Sequence, residues 1–274
     1  MTLPSSGTIN LNQIHVEAGG TSNTLASIND SDIRGLIGKG SEVQMSFSEW
    51  YGASAASGTV SFLGFSSTTT GGFANGNRTL SSGNKLVVVV SAHTMASSSN
   101  TSTNPTSVLC GGVAMTKAVG GVPHYNSVSG IGTQTSIWYL ETTQSGSTLI
   151  SGSSGGTGAQ DGVAYTFEIT GTTAFTPYAT ASANNAGSEA LSETITVDGQ
   201  SGGVTIVVGG FAGPGTAAVS GGNLSIDQQN AEPFAQYFVA SASNISGGNT
   251  TYTVTKTSNT GTNSAFSLHA ASFG

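Results

Sequence analysis

The spacing of apolar positions along this chain changes near residue 54. Before that point, short apolar clusters follow a recurring polar cap. The pattern occurs as Ile9-Asn10-Leu11-Asn12-Gln13-Ile14, as Ile28-Asn29-Asp30-Ser31-Asp32-Ile33 and as Met45-Ser46-Phe47-Ser48-Glu49-Trp50. Each copy sets Asn or Ser three residues before Gln, Asp or Glu and puts an apolar residue before the cap. This is the spacing of a capping box, in which two side chains satisfy the N–H groups that the first helical turn leaves unpaired. The pattern predicts three short helices, with Asn10, Asn29 and Ser46 as N-caps and Gly19, Gly38 and Gly52 as stops. Each unit carries too few apolar side chains to stand alone, so the units are expected to pack on one another or on a neighbouring subunit.

After the small-residue stretch Gly52-Ala53-Ser54-Ala55-Ala56-Ser57-Gly58 the helical signals stop, which predicts a boundary between residues 1–54 and 55–274. Beyond it come alternating or continuous apolar runs bounded by Gly, Asn and Ser. They lie at Val60 to Phe65, Lys85 to Ser91, Val113 to Val119, Ser136 to Leu140, Val163 to Ile169, Val204 to Phe211, Phe234 to Ala240, Thr251 to Lys256 and Ala265 to Phe273. Their lengths and spacing predict a mainly β fold, a β-sandwich of jelly-roll type. The region also repeats itself. Lys85 to Val90 corresponds to Gly203 to Val208, Ser136 to Leu140 to Ala235 to Val239, and Ala164 to Ile169 to Ser264 to His269. The expectation is two halves of one sandwich, each giving strands to both sheets.

The segment from Leu3-Pro4-Ser5-Ser6-Gly7-Thr8-Ile9 through Phe47-Ser48-Glu49-Trp50-Tyr51-Gly52 resembles one that opens many bacteriophage virion and tail proteins. Lys85 to Ser91, Gly111-Gly112-Val113-Ala114-Met115, Ser136 to Leu140 and Gly203 to Gly209 are together similar to a β-sandwich family of phage and bacterial genomes. The first resemblance implies a structural component of a virion, in a tail, baseplate, fibre or capsid appendage, with residues 1–54 as the attachment module. It implies other virion proteins as partners, a homo-oligomer, and assembly in the host cytoplasm before location in the particle. Neither resemblance carries a catalytic signature.

Composition narrows the function classes. Charged residues are 7% of the chain, and six basic against thirteen acidic side chains give 6 − 13 = −7. Without a basic cluster to neutralise several phosphates, nucleic acid is excluded as a partner. No run approaches the ~20 apolar residues of a spanning helix, and the N-terminus lacks a signal-peptide layout, so no membrane insertion is expected. Cys110, the single cysteine, excludes an internal disulfide.

Candidate chemistry thins out on inspection. Gly152-Ser153-Ser154-Gly155-Gly156 fits a nucleophile elbow, but no helix pattern follows it. Gly213, Gly215 and Ala218 follow a strand as in a dinucleotide site, yet Pro214 and the glycines after Ser220 oppose the required helix. Asp30-Ser31-Asp32 begins like a calcium loop, but Arg34 and Ser41 stand at later ligand positions. His15, His93, His124 and His269 have no metal spacing. The carboxylates Glu141, Asp161, Glu168, Glu189, Glu193, Asp198, Asp227 and Glu232 could supply a glycosidase pair only if the fold joined two of them. Trp138 and Tyr139 alternate on one strand, so one is expected in the core and the other could serve as a sugar platform. No residue is nominated as catalytic, cofactor-binding or metal-ligating, and no cofactor is expected. The expectation is assembly without enzymatic turnover. The alternatives are a receptor-binding module whose loops hold host-surface glycan, and a polysaccharide-degrading enzyme.

Overall fold

The computed structural model describes residues 3–37, 39, 43–53, 58–68, 73–95, 105–121, 124–125, 132–153, 159–172, 174–185, 192–213, 215–231, 235–256 and 266–274. Gly38 and residues 54–57 of the expected linker lie outside them.

Residues 3–53 form a small module with its own core. Leu3, Ile14, Ile33 and Trp50 are buried together, and Ile9, Leu11, Ile28, Leu36 and Met45 pack around them. Helix α1 (Leu11–Glu17) starts at Asn10, whose side chain accepts from the Gln13 N–H while Gln13 accepts from the Asn10 N–H, both at 2.9 Å. It ends in a Schellman motif: the Gly20 N–H donates to the His15 carbonyl and the Gly19 N–H to Val16, with Gly19 at φ +96°. The third copy is a 3₁₀ turn, Phe47–Trp50, capped by Ser46 with Glu49 returning to the Ser46 N–H at 2.7 Å.

The second copy departs from the expected register. Helix α2 spans Ser31–Gly35, and its first backbone bond runs from the Arg34 N–H to the Asp30 carbonyl. Before it, Ser27 and Asp30 close a turn: the Ser27 N–H donates to Asp30 Oδ2 (2.7 Å), the Asp30 N–H to the Ser27 carbonyl and the Asn29 N–H to Ser27 Oγ, which leaves Asp30 at the N-cap position of α2. Asn29 is therefore not an N-cap. Its Oδ1 accepts from the buried Arg34 guanidinium, which also donates to the Val43 carbonyl and so ties the second copy to the third. The module closes on itself: Leu3 N–H donates to the Ala53 carbonyl and Gly52 N–H to Pro4.

The remainder is all strand. In chain order these are β1 (Thr59–Thr68), β2 (Gly76–Leu80), β3 (Lys85–Met95), β4 (Ser107–Cys110), β5 (Val113–Ala114), β6 (Thr116–Gly120), β7 (His124–Tyr125), β8 (Gly132–Thr142), β9 (Gly146–Ser153) and β10 (Ala159–Thr170). Then follow β11 (Pro177–Asn185), β12 (Ser192–Gly199), β13 (Val204–Ala212), β14 (Ala217–Ser220), β15 (Ser225–Ala231), β16 (Ala235–Ser243), β17 (Gly248–Lys256) and β18 (Phe266–Phe273). β1 to β10 make an inner sheet ordered β1-β10-β3-β8-β6, with β7 beside β8, and an outer sheet ordered β2-β9-β4-β5. β11 to β18 make an inner sheet ordered β11-β18-β13-β16-β15 and an outer sheet ordered β12-β17-β14. The five strands along each inner sheet correspond in order, as do β2-β9-β4 and β12-β17-β14 of the outer sheets, while β5 and β7 have no counterpart among the described residues; both halves follow a jelly-roll order. Each half is thus a complete sandwich, and the halves do not share sheets as the repeats suggested.

Four sheets stack as outer, inner, inner, outer. Leu86, Val88, Val90, Tyr165 and Phe167 of the first inner sheet meet Val204, Ile206, Val208, Tyr237 and Phe273 of the second. The opposite faces of the inner sheets pack on their own outer sheets, through Val87, Val89, Trp138, Val108 and Ile150 in one half and Phe211, Phe238, Leu268, Ile195 and Tyr252 in the other. Central strands are therefore buried on both faces, and Leu86 through Val90 are all 0% exposed. Such strands read as unbroken apolar runs. Toward one end the seam between the halves turns polar: Thr135 Oγ1 bonds His269 Nδ1 (2.8 Å) and Ser267 Oγ (3.0 Å), Thr133 donates to the Gly210 carbonyl, and Thr94 meets the Tyr237 hydroxyl.

The repeats match topologically equivalent strands: β3 with β13, β8 with β16, and β10 with β18. The faces carry over in β3 and β13, where Leu86, Val88 and Val90 and their matches Val204, Ile206 and Val208 all face the seam, but not in β8 and β16. Trp138 faces its outer sheet, whereas Tyr237, its expected counterpart, faces the seam. A slip by an odd number of residues exchanges faces.

Candidate functional site

Two surfaces offer chemistry. The first is the N-terminal module, whose short elements leave several large apolar side chains uncovered. Leu25 is 103% exposed, Phe47 49%, Val43 48% and Tyr51 37%. Phe47 stacks on Trp50 at 5.8 Å, and Tyr51 donates to the Gly7 carbonyl, so both rings are held in place while exposed. Lys39 pairs with Glu49 at 2.8 Å, and that bond, with the Ser46 N–H, holds the Glu49 carboxyl below its ordinary range. A cavity of about 230 Å³ opens beside α1, lined by Leu3, Pro4, Asn12, Gln13, Val16, Glu17 and Ser22.

The second surface lies at one end of the second jelly roll. The β14–β15 turn at Gly222 and Asn223, the β16–β17 turn from Asn244 to Ser246, and Thr250 and Tyr252 of β17 enclose about 300 Å³. Neither cavity is lined by two carboxylates or by a histidine.

The sequence candidates fall elsewhere. Glu141 accepts from Asn84 Nδ2 (2.9 Å) and Glu168 from the Ser81 N–H (2.9 Å). They flank β3 opposite Leu86 and Val87 respectively, so they point to opposite faces of the sheet. Glu193 and Asp198 lie five residues apart on β12, about 16 Å along the strand and again on opposite faces. Asp227 occupies a bulge in β15, where burial raises its carboxyl pKa against a lowering bond from Ser241. Glu189, Glu232 and the side chain of Asp161 lie outside the described residues. None of these carboxylates lines either cavity.

His15 bonds Thr24, His269 bonds Thr135, and His93 sits between an inner and an outer sheet, so these three stand apart. The His124 side chain lies outside the described residues, among which no metal-ligating group of three occurs. Gly152 and Ser153 end β9, and residues 154–156 of the elbow pattern are outside the described set. Gly213 and Gly215 lead into β14, a strand on which Ala218 sits, so there is no helix N-terminus for a phosphate. Trp138 is 5% exposed with its Nε1 donating to Ser136 Oγ, and Tyr139 packs into the seam 6.4 Å from Phe273. Neither ring is a sugar platform. The cavity at Tyr252 gave no signal in sequence, because its lining of Gly, Asn, Ser and Thr is what the whole chain is rich in.

Comparison with protein-family models, characterised proteins and solved structures gave no match.

Proposed function

We propose that the chain is a structural component of a bacteriophage virion, in a tail, baseplate, fibre or capsid appendage. The N-terminal module is its attachment point and the tandem jelly roll is the part displayed. The reading rests on the resemblance of residues 3–52 to the opening segment of virion proteins. The structural observation that supports it is the exposure of Leu25, Val43, Phe47 and Tyr51 on a module whose buried apolar cluster, among the described residues, is Leu3, Ile14, Ile33 and Trp50. A contiguous exposed apolar patch marks an interaction surface, and these four side chains are the candidates for one. Covering Leu25 and Phe47 with a partner would yield about 1.5–3 kcal/mol each. The partner is another virion protein or a further copy of this chain, and the work done is assembly without turnover.

The test is incorporation of the full chain carrying Leu25→Asp and Phe47→Asp, quantified by mass spectrometry of purified particles. Both positions are exposed, so the variant folds and incorporation falls to background. Normal occupancy in the particle would overturn the assignment.

A further inference from the structure

The duplication supplies an internal control for the cavity at the end of the second jelly roll. In the first jelly roll the equivalent corner lies between the Gly111-Gly112 turn and the β8–β9 turn, and the Gln144 side chain lies in it against Gly111. A Cβ on Gly111 would stand 2.0 Å from Gln144 Oε1, and the Gln144 carbonyl is fixed by Lys85 Nζ at 2.9 Å. In the second jelly roll the corresponding Gly221-Gly222 and Asn244–Gly247 turns leave the corner open, with about 300 Å³ between them.

The open corner is built for a polar occupant. Tyr252 is 0% exposed with its ring in the outer core, and its buried hydroxyl has no hydrogen-bond partner among the described residues. That hydroxyl lies 3.8 Å from where a Gly222 Cβ would be, so the absence of a side chain at Gly222 keeps the space in front of it clear. Leaving such a group unpaired costs about 1–3 kcal/mol, which a ligand hydroxyl would offset. Asn244 holds φ +54°, a left-handed turn conformation that asparagine adopts more readily than other non-glycine residues. Asn223 Nδ2 donates to the Ser243 carbonyl at 2.6 Å, which fixes the amide with its Oδ1 as a remaining acceptor.

A Ser- and Asn-rich lining alone would mean nothing in this chain. The unpaired buried phenol, and an open corner where its counterpart has the Gln144 side chain against Gly111, are what distinguish this place. No charged side chain lines it, which disfavours anions and cations alike. The hydroxyls and amides of Asn223, Asn244, Ser246 and Thr250, beside the apolar Ile245, suit a ring bearing both C–H and O–H groups. The volume stands at the small end of ligand pockets, roughly 300–1,000 Å³. We propose that this corner binds one uncharged saccharide residue of a glycan. The proposal is independent of attachment through the N-terminal module.

The test titrates methyl glycosides of neutral hexoses and N-acetylhexosamines, with sialic acid and inorganic phosphate as charged probes, into the isolated full chain, followed by amide NMR. At least one neutral glycoside binds with Kd of about 1 mM or tighter and shifts the amides of Asn223, Asn244 and Ser246. Tyr252→Phe, which removes only the hydroxyl, weakens binding by about 10-fold or more. Ser246→Trp, at an exposed position, fills the corner and abolishes binding with the thermal midpoint unchanged. Absence of neutral-glycoside binding, preference for a charged probe, or binding that survives both substitutions would overturn the proposal. Because the readout uses isolated chain, its failure is separable from a failure of particle incorporation.

Discussion

His93 offers a quantitative test of the packing between the inner and outer sheets of the first jelly roll. It lies on β3 between Gln134 and Gly162 on the neighbouring strands and is 0% exposed. Its Nε2 lies 2.6 Å from Ser91 Oγ, and its Nδ1 has no partner among the described residues. Burial lowers its pKa from the ordinary 6.5 to about 4. Between those values the unfolded chain binds a proton that the folded chain refuses, so stability rises with pH across the window. The contribution is complete above about pH 6.5 and lost as pH falls toward 4. At about 1.36 kcal/mol per pKa unit, moving from pH 7.5 to 4.5 removes about 2.5 kcal/mol. Other histidines and the carboxylates titrate too, so the assay compares urea unfolding of wild type and His93→Gln at both pH values, read by tryptophan fluorescence. The wild-type loss between the two pH values exceeds that of the variant by about 2.5 kcal/mol. Equal losses would show that His93 is hydrated in the folded protein and that the packing around it is wrong.

Other outcomes follow from the same structure. Asn10→Ala and Ser46→Ala should each cost about 1 kcal/mol of module stability, whereas Asn10→Asp should be nearly neutral; thermal melts following Trp50 fluorescence would refute the caps if alanine cost nothing. Removal of residues 1–54 should leave a soluble, folded β protein that no longer enters particles, and loss of the far-UV strand signal would show that the sandwich depends on the module. The Cys110 thiol is buried and its pKa pushed up to about 11, so it should resist a disulfide reagent at pH 8 until urea unfolds the chain; prompt native reaction would show that the outer sheet opens.

The strands most legible in the sequence are those buried on both faces, although the edge strand β1, the pair β5 and β6, and the outer strand β17 are also read from their alternation. Leu86 to Val90 and Val204 to Val208 carry no polar residue except Thr205, because each lies in an inner sheet sandwiched between two cores. β2, β4, β7, β9, β11, β12, β14 and β15 went unseen. They lie in outer sheets or at inner-sheet edges with one face in water, and in a Ser/Thr/Gly-rich chain their polar positions look like loop. Arg78, buried on β2, even inverts the usual cue. The three repeats between the halves were readable, but four stacked sheets were not, since two sandwiches and one shared sandwich need the same alternation. In the module, Asn29 matched the box spacing, but the helix begins one residue later, with the Asp30 carbonyl accepting its first bond, and Asn29 Oδ1 accepts from Arg34 instead. The Tyr252 corner joins residues from three separate segments, and no local pattern encodes such a meeting.

The central claim, that the chain is a virion part held by its N-terminal module, is tested most directly by a particle reconstruction. The account predicts density for two jelly rolls stacked through their inner sheets, with Leu25, Val43 and Phe47 buried against a neighbouring particle protein or another copy of the chain. The Tyr252 corner should face outward. Purified particles lacking the chain, or density in which the module faces solvent and a jelly roll makes the attachment, would contradict it.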